Sequence, residues 1–178
     1  MRGYFGVGVQ GISKARNLGA VMRTAHAFGA SFVFSVNASD DAHRPAAVRS
    51  SDTSRANLHL PYYSWDSEDD LRLPEMCPLV GIELCDRAVE LPSFRHPKNC
   101  AYILGPEDGS LSETLQDKCT HIVKIPTKFC INVSLAAALA LYDRTLTLGG
   151  YPERPVRPGG PDLAEVEKWR ALRIRGHV

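Results

Sequence analysis

Residues 4–36, YFGVGVQGISKARNLGAVMRTAHAFGASFVFSV, decide the fold, because they read as strand, loop, helix and strand in succession. Residues 4–9 are an apolar run broken only by glycine, the signature of a strand buried on both faces. A polar loop follows, and Asn17 is placed to cap a helix, its short side chain accepting from an orphan backbone N–H. Beyond it Leu18, Val21, Met22, Ala25 and Phe28 recur at helical spacing and form one apolar stripe. Gly29 stands at the C′ position, where positive φ is favoured, and residues 31–36 return to an apolar run.

The same alternation continues outward. Residues 57–65 are β-prone and end in the aromatic cluster Tyr62, Tyr63 and Trp65; 66–73 is a short acidic helix candidate. Residues 78–84 and 100–104 are further buried strands, 111–119 a helix opened by Ser110 or Ser112, and 121–125 a strand. Residues 132–148 form the strongest helix, closed by Gly149 and Gly150. Residues 151–161 hold four prolines and two glycines, which marks a linker, and Asp162 caps a last helix over 163–174. Strands alternating with helices predict an α/β fold, a mostly parallel sheet flanked by helices. The expected division is a domain over 1–150, then the linker and terminal helix over 151–178.

Three strand ends lead into polar turns, and on a parallel sheet such turns open on one edge, where α/β proteins bind ligands. The first is the loop 9–19 before the first helix. Gly6-x-Gly8-x-x-Gly11 is the nearest approach to a dinucleotide fingerprint, but it begins inside the strand. Arg23, farther along the helix, reads either as a solvated surface arginine or as a functional cation. The second is ILGPEDGSLS at 103–112, where two glycines flank two carboxylates. It serves either as a tight strand-to-helix turn or as a close approach of backbone to ligand. The third is IPTKFCINVS at 125–134, where Asn132 and Ser134 stand at a helix N-terminus, as caps or as site residues.

Composition narrows the classes. The 178-residue chain is 44% hydrophobic and 23% charged, an ordinary globular composition. No apolar run approaches the roughly 20 residues of a membrane span. The start runs directly into a strand, so neither a signal peptide nor a location outside the cytoplasm is expected. Five cysteines without a CxxC pair argue against a zinc site or disulfide framework, and no metal is expected. Net charge is only +1, but residues 1–60 carry seven basic against three acidic side chains, and residues 151–178 six against four. The basic excess at both ends is ordinary solvated surface or a footprint for a polyanion.

Taken together, NLGAVMRTAHAFGA (17–30), ILGPEDGSLSE (103–113) and IPTKFCINVSLAAALALYDR (125–144) resemble the three motifs of the SPOUT superfamily of RNA methyltransferases. The nearest branch is the tRNA/rRNA ribose 2′-O-methyltransferases, and the likeness spans residues 4–150. It implies a C-terminal trefoil knot, an obligate homodimer, and S-adenosyl-L-methionine as cofactor. By the same resemblance Ile82, Gly105, Glu107, Gly109, Ile125, Cys130, Ile131 and Ser134 line the cofactor pocket. Arg23, Asn17, Asn132 and Ser134 form the catalytic set, Arg23 stabilising the developing alkoxide and Asn17 holding Arg23 or the ribose. Cys130 stands where the family commonly has serine, a weaker hydrogen-bonding group. Lys14, Arg16, Arg44, Arg170, Arg173 and Arg175 are the expected RNA contacts. Tyr62, Tyr63 and Trp65 either stack on bases or pack in the core. The competing expectations are a non-catalytic RNA-binding or assembly factor with the same fold, and a nucleotide-dependent α/β enzyme, which the absent P-loop disfavours.

Overall fold

The computed structural model describes residues 3–43, 58–106, 108–149, 151–152 and 154–174. Among the described residues seven strands form one sheet: β1 (Phe5–Gln10), β2 (Phe32–Val36), β3 (Tyr62–Trp65), β4 (Leu79–Ile82), β5 (Val89–Glu90), β6 (Cys100–Leu104) and β7 (His121–Lys124). Their order is β3-β2-β1-β6-β4-β7-β5, and every pairing is parallel. The helices are α1 (Ala15–Ala27), α2 (Glu113–Lys118), α3 (Val133–Leu148) and α4 (Leu163–Ile174). The expected α/β class and parallel sheet are therefore observed. No helix among the described residues is long and apolar enough to cross a membrane.

Strand alternation sorts β1 into two faces. Phe5, Val7 and Val9 join the core under α1 and α3, with Leu18, Val21, Met22, Ala137 and Leu141. Gly6 and Gly8 face the opposite core, built around Phe32, Phe34, Ile103, Leu111 and Leu115. A Cβ on Gly6 would come within 2.3 Å of the Phe32 ring, and one on Gly8 within 2.2 Å of Phe34. The glycines thus make room for phenyl rings from β2, which is why the sequence approaches a nucleotide fingerprint without forming one.

Two of the three clustered aromatics pack partly inward along the same edge. Tyr62 shares a 2.6 Å hydrogen bond with the Ser35 hydroxyl, and Trp65 meets Phe34 edge-on at 5.8 Å. Tyr63 stacks on Trp65 and keeps half its surface exposed. Cys77 and Cys100 are buried, and burial pushes the Cys119 thiol up to about 12, so these three behave as small hydrophobes.

Two expectations need correction, and one short strand was not expected at all. α1 begins at Ala15, with Lys14 in the cap position, so Asn17 lies inside the first turn rather than capping it. The Lys14 carbonyl accepts from the Asn17 and Leu18 amides, which leaves the Asn17 side chain free for other contacts. The acidic stretch 66–73 forms only a 3₁₀ turn, Glu68–Asp70, capped by Ser67. Three successive carboxylates repel one another there, and Pro74 bars continuation. β5 is two residues long, too short to show periodicity.

The other helix boundaries follow local chemistry. Gly29, at φ 78°, ends α1, its amide donating to His26 O while Ala30 N reaches Ala25 O. Ser112 Oγ accepts from Leu115 N and opens α2, and Asp162 accepts from Glu165 N at the start of α4.

A buried polar cluster fixes the far end of α3. Arg144 is 6% exposed; its guanidinium donates to the Pro97 and Lys98 carbonyls and lies 4.7 Å over the Phe5 ring. His96 joins the Tyr102 hydroxyl at 2.5 Å and Asp143 at 3.0 Å. Tyr102 also accepts from Arg144, so the consistent assignment is a neutral imidazole that accepts from Tyr102 and donates to Asp143. Burial holds His96 below its ordinary value, Asp143 opposing and Arg144 assisting. Folded His96 therefore binds fewer protons than the unfolded chain just below its ordinary value of about 6.5. Stability should be fully present above that pH and decline as pH is lowered through it. Urea unfolding between pH 7.5 and 5 checks this, and His96→Gln should flatten the slope. Arg144→Met should cost about 2 kcal/mol, because the Pro97 and Lys98 carbonyls lose their donor.

Candidate active site

Parallel pairing brings the C-terminal ends of β1, β6, β4 and β7 to one edge. Register aligns them closely: Val9 lies opposite Leu104, Leu104 opposite Ile82, and Ile82 opposite Val123. The loops leaving these ends enclose a cleft of about 420 Å³. That is within the roughly 300–1,000 Å³ of small-molecule sites.

The three sequence motifs meet in this cleft. Lys14, Arg16 and Asn17 come from the start of α1, Gly105, Asp108 and Gly109 from the turn after β6, and Ile125, Cys130, Ile131 and Asn132 from the loop before α3. Ile82 joins them from the end of β4. Leu104, Val133 and Ala136 add apolar wall, and Lys14, Arg16, Glu83, Asp108 and Asn132 add charged and polar groups.

Local chemistry positions the edges. At the start of α3, Asn132 Oδ1 accepts from the Ser134 amide at 2.9 Å and from the Ser134 hydroxyl at 2.7 Å. Asn132 is thus the cap of α3, and it also faces the cleft. Thr127 N donates to Ile125 O at 2.7 Å, closing a tight turn directly after β7. Gly105 is obligatory by contact, since a Cβ there would lie 2.9 Å from Leu111 N.

Several expected site residues stand elsewhere. Ser134 is half-buried and bonded to Asn132 rather than lining the cleft. Arg23 is exposed on α1, outside the cleft lining. Glu107, Arg44 and Arg175 lie outside the described residues, and the Arg173 side chain does too. Arg170 is exposed on α4. Sequence reasoning passed over Glu83, Leu84, Pro106, Asp108 and Thr127, which all line the cleft. Glu83 carried a visible signal, a carboxylate set inside the apolar run at the end of β4.

A family model, the SpoU rRNA Methylase family, matches residues 5–142. The chain belongs to that family. This SpoU chain is 26% identical over 148 residues to the 23S rRNA (guanosine-2′-O-)-methyltransferase RlmB of Acinetobacter baylyi, covering 74% of this chain and 55% of that protein. It is 30% identical over 140 residues to the RlmB of Nitrosomonas europaea, covering 76% and 53%. The SpoU chain thus spans about half the length of these curated relatives. Among solved structures it superposes on an AdoMet-bound rRNA methyltransferase from Sinorhizobium meliloti with a TM-score of 0.71 and 22% identity, over 83% of this chain and 58% of that one. At that identity the likeness establishes the fold.

The double role of Asn132 yields a prediction for the SpoU chain. Asn132→Ala removes the acceptor for both Ser134 donors, so the first turn of α3 should fray at a cost of about 1 kcal/mol. Thermal melting of the variant against the native chain checks it.

Proposed function

We propose that this chain is an S-adenosylmethionine-dependent methyltransferase acting on a ribose 2′-hydroxyl in tRNA or rRNA. The observation that carries the reading is the convergence of all three family motifs on one cleft. The AdoMet-bound neighbour and the two rRNA methyltransferases support it. The cleft fits the cofactor: apolar Ile82, Leu104, Ile125 and Ile131 can sandwich an adenine, and Gly105 keeps the turn's backbone close. Cys130, Gly109 and, by the family resemblance, Glu107 complete the proposed pocket, and Ser134 holds Asn132 at its edge.

The cofactor supplies an already activated methyl group. The protein must align the ribose hydroxyl and manage its proton, and positioning of this kind is worth roughly 7–11 kcal/mol in favourable cases. Lys14 and Arg16 at the cleft mouth suit an RNA backbone, with Arg44, Arg170, Arg173 and Arg175 as further contacts. Asn17 and Asn132 face the cleft and can orient the ribose. Arg23 is assigned stabilisation of the developing alkoxide, because a guanidinium resists deprotonation.

Its position outside the cleft of its own chain makes a homodimer part of this reading: the partner's α1 would bring Arg23 to the reacting atoms. The dimer is supported by an apolar stripe on α3, where Leu135, Leu139 and Tyr142 are exposed at i, i+4 and i+7. The knot is supported by sheet order. The chain leaves β7 beyond β4, and α3 returns to pack against β6 and α1. A catalytic domain over 1–150, with 151–178 as linker and terminal helix, and a cytoplasmic location complete the proposal.

Nucleoside mass spectrometry of tRNA and rRNA from cells lacking the protein tests the function. One 2′-O-methyl should be lost and be restored by purified protein; unchanged ribose methylation would sink the reading. Calorimetry separates the runner-up, an RNA-binding assembly factor, which would bind no S-adenosylmethionine. Arg23→Ala should lower methyl transfer about 10²–10³-fold while cofactor affinity stays within twofold or so. Near-normal turnover in that variant would remove Arg23 from the mechanism.

A further inference from the structure

The turn at 105–112 leaves the sheet after β6, and two buried side chains hold its Leu111 and Ser112 amides. Gln10 is 7% exposed at the end of β1, and Glu83 is 9% exposed just past the end of β4. These strands flank β6 on either side. Glu83 Oε2 accepts from the Leu111 amide at 2.6 Å, and Gln10 Oε1 accepts from the Ser112 amide at 2.9 Å. Two successive amides of the turn are therefore held from opposite sides of the strand that precedes it.

Each side chain is anchored at its other end. Glu83 Oε1 accepts from Leu84 N at 2.9 Å, and Gln10 Nε2 donates to Glu68 at 2.6 Å. Both Glu83 oxygens are thus bonded, which is what burying a carboxyl group requires. The turn also folds back on itself tightly. A Cβ on Gly105 would lie 2.9 Å from Leu111 N and 3.1 Å from Glu83 Oε2. The two limbs of the turn, at 105 and 111, meet at the Glu83 carboxyl. Pro106, Asp108 and Gly109 lie between those limbs and line the cleft.

We propose that Glu83, assisted by Gln10, is a positioning residue that holds the 105–112 turn in its ligand-ready shape before any ligand arrives. The ligand's identity rests on the function proposed above; the geometry of the turn does not. A carboxyl group bonded to backbone amides is a strong, directional tether. A loop ordered in advance spares the ligand the cost of ordering it. Glu83 acts through the turn, so its removal should weaken cofactor and demethylated product alike.

Hydrogen–deuterium exchange on the full chain without cofactor, with calorimetry, tests this. In Glu83→Gln, isosteric but with an NH₂ group facing one of two backbone donors, the peptide over 105–112 should exchange faster while those of β1 and α1 are unchanged. Affinities for S-adenosylmethionine and S-adenosylhomocysteine should fall by the same factor, about 10-fold to 100-fold. Glu83→Ala should show the same pattern more strongly. Unchanged exchange over 105–112 in the Gln variant overturns the proposal. So does an affinity loss confined to S-adenosylmethionine, since that would make Glu83 a direct partner of the sulfonium. If the native chain binds neither compound, the proposed function fails, and the exchange measurement still decides the role of Glu83.

Discussion

The rings of Phe32 and Phe34 occupy the space that side chains on Gly6 and Gly8 would fill, and the architecture depends on that contact. It lets β2 lie in parallel register beside β1 with aromatic bulk over the shared face. β1 is then buried on both faces, with helices α1 and α3 on one and the phenylalanine core on the other. A strand so covered belongs at the interior of a sheet. From there it pairs with β6 on its far side and brings its end level with Leu104. The cleft exists because these ends are level.

Buried polar groups then convert a generic parallel sheet into a specific one. Gln10 and Glu83 bind the turn after β6, Asn132 caps α3, and Arg144 with His96 ties the other end of α3 to the segment before β6. Gln10, Glu83, Arg144 and His96 are costly to bury without their partners and so disfavour arrangements that separate them, while Asn132 is an exposed cap. The two polar systems sit at opposite ends of α3: one shapes the cleft, the other anchors the helix. The far anchor can hold α3 without placing a charge near the proposed chemistry.

Legibility in the sequence followed the range of the interaction. The helix of residues 15–27 was visible because its stripe repeats every turn, and its stop because Gly29 adopts a positive φ that suits glycine. Asp162 was visible as a cap, and Ser112 as one of two candidates with Ser110, because a cap acts within three residues. Asn17 misled for the same reason: it is a good capping residue, yet the helix starts earlier, with Lys14 at its cap. The acidic stretch misled because composition suggests helix while repulsion and Pro74 limit it to one 3₁₀ turn.

The sequence by itself determined the α/β class, the parallel arrangement of its apolar runs and the three turns that form the cleft, because periodicity, glycine punctuation and capping are local. The tertiary structure alone decided which side chains those turns share. The bond from Leu111 to Glu83 spans 28 residues, and that from Ser112 to Gln10 spans 102. No pattern within a helix or strand encodes such pairs, since they depend on β6 entering the sheet between β1 and β4. Likewise the exposure of Arg23 and the place of Asn132 at the cleft follow from where α1 and α3 pack, not from the motifs that contain them.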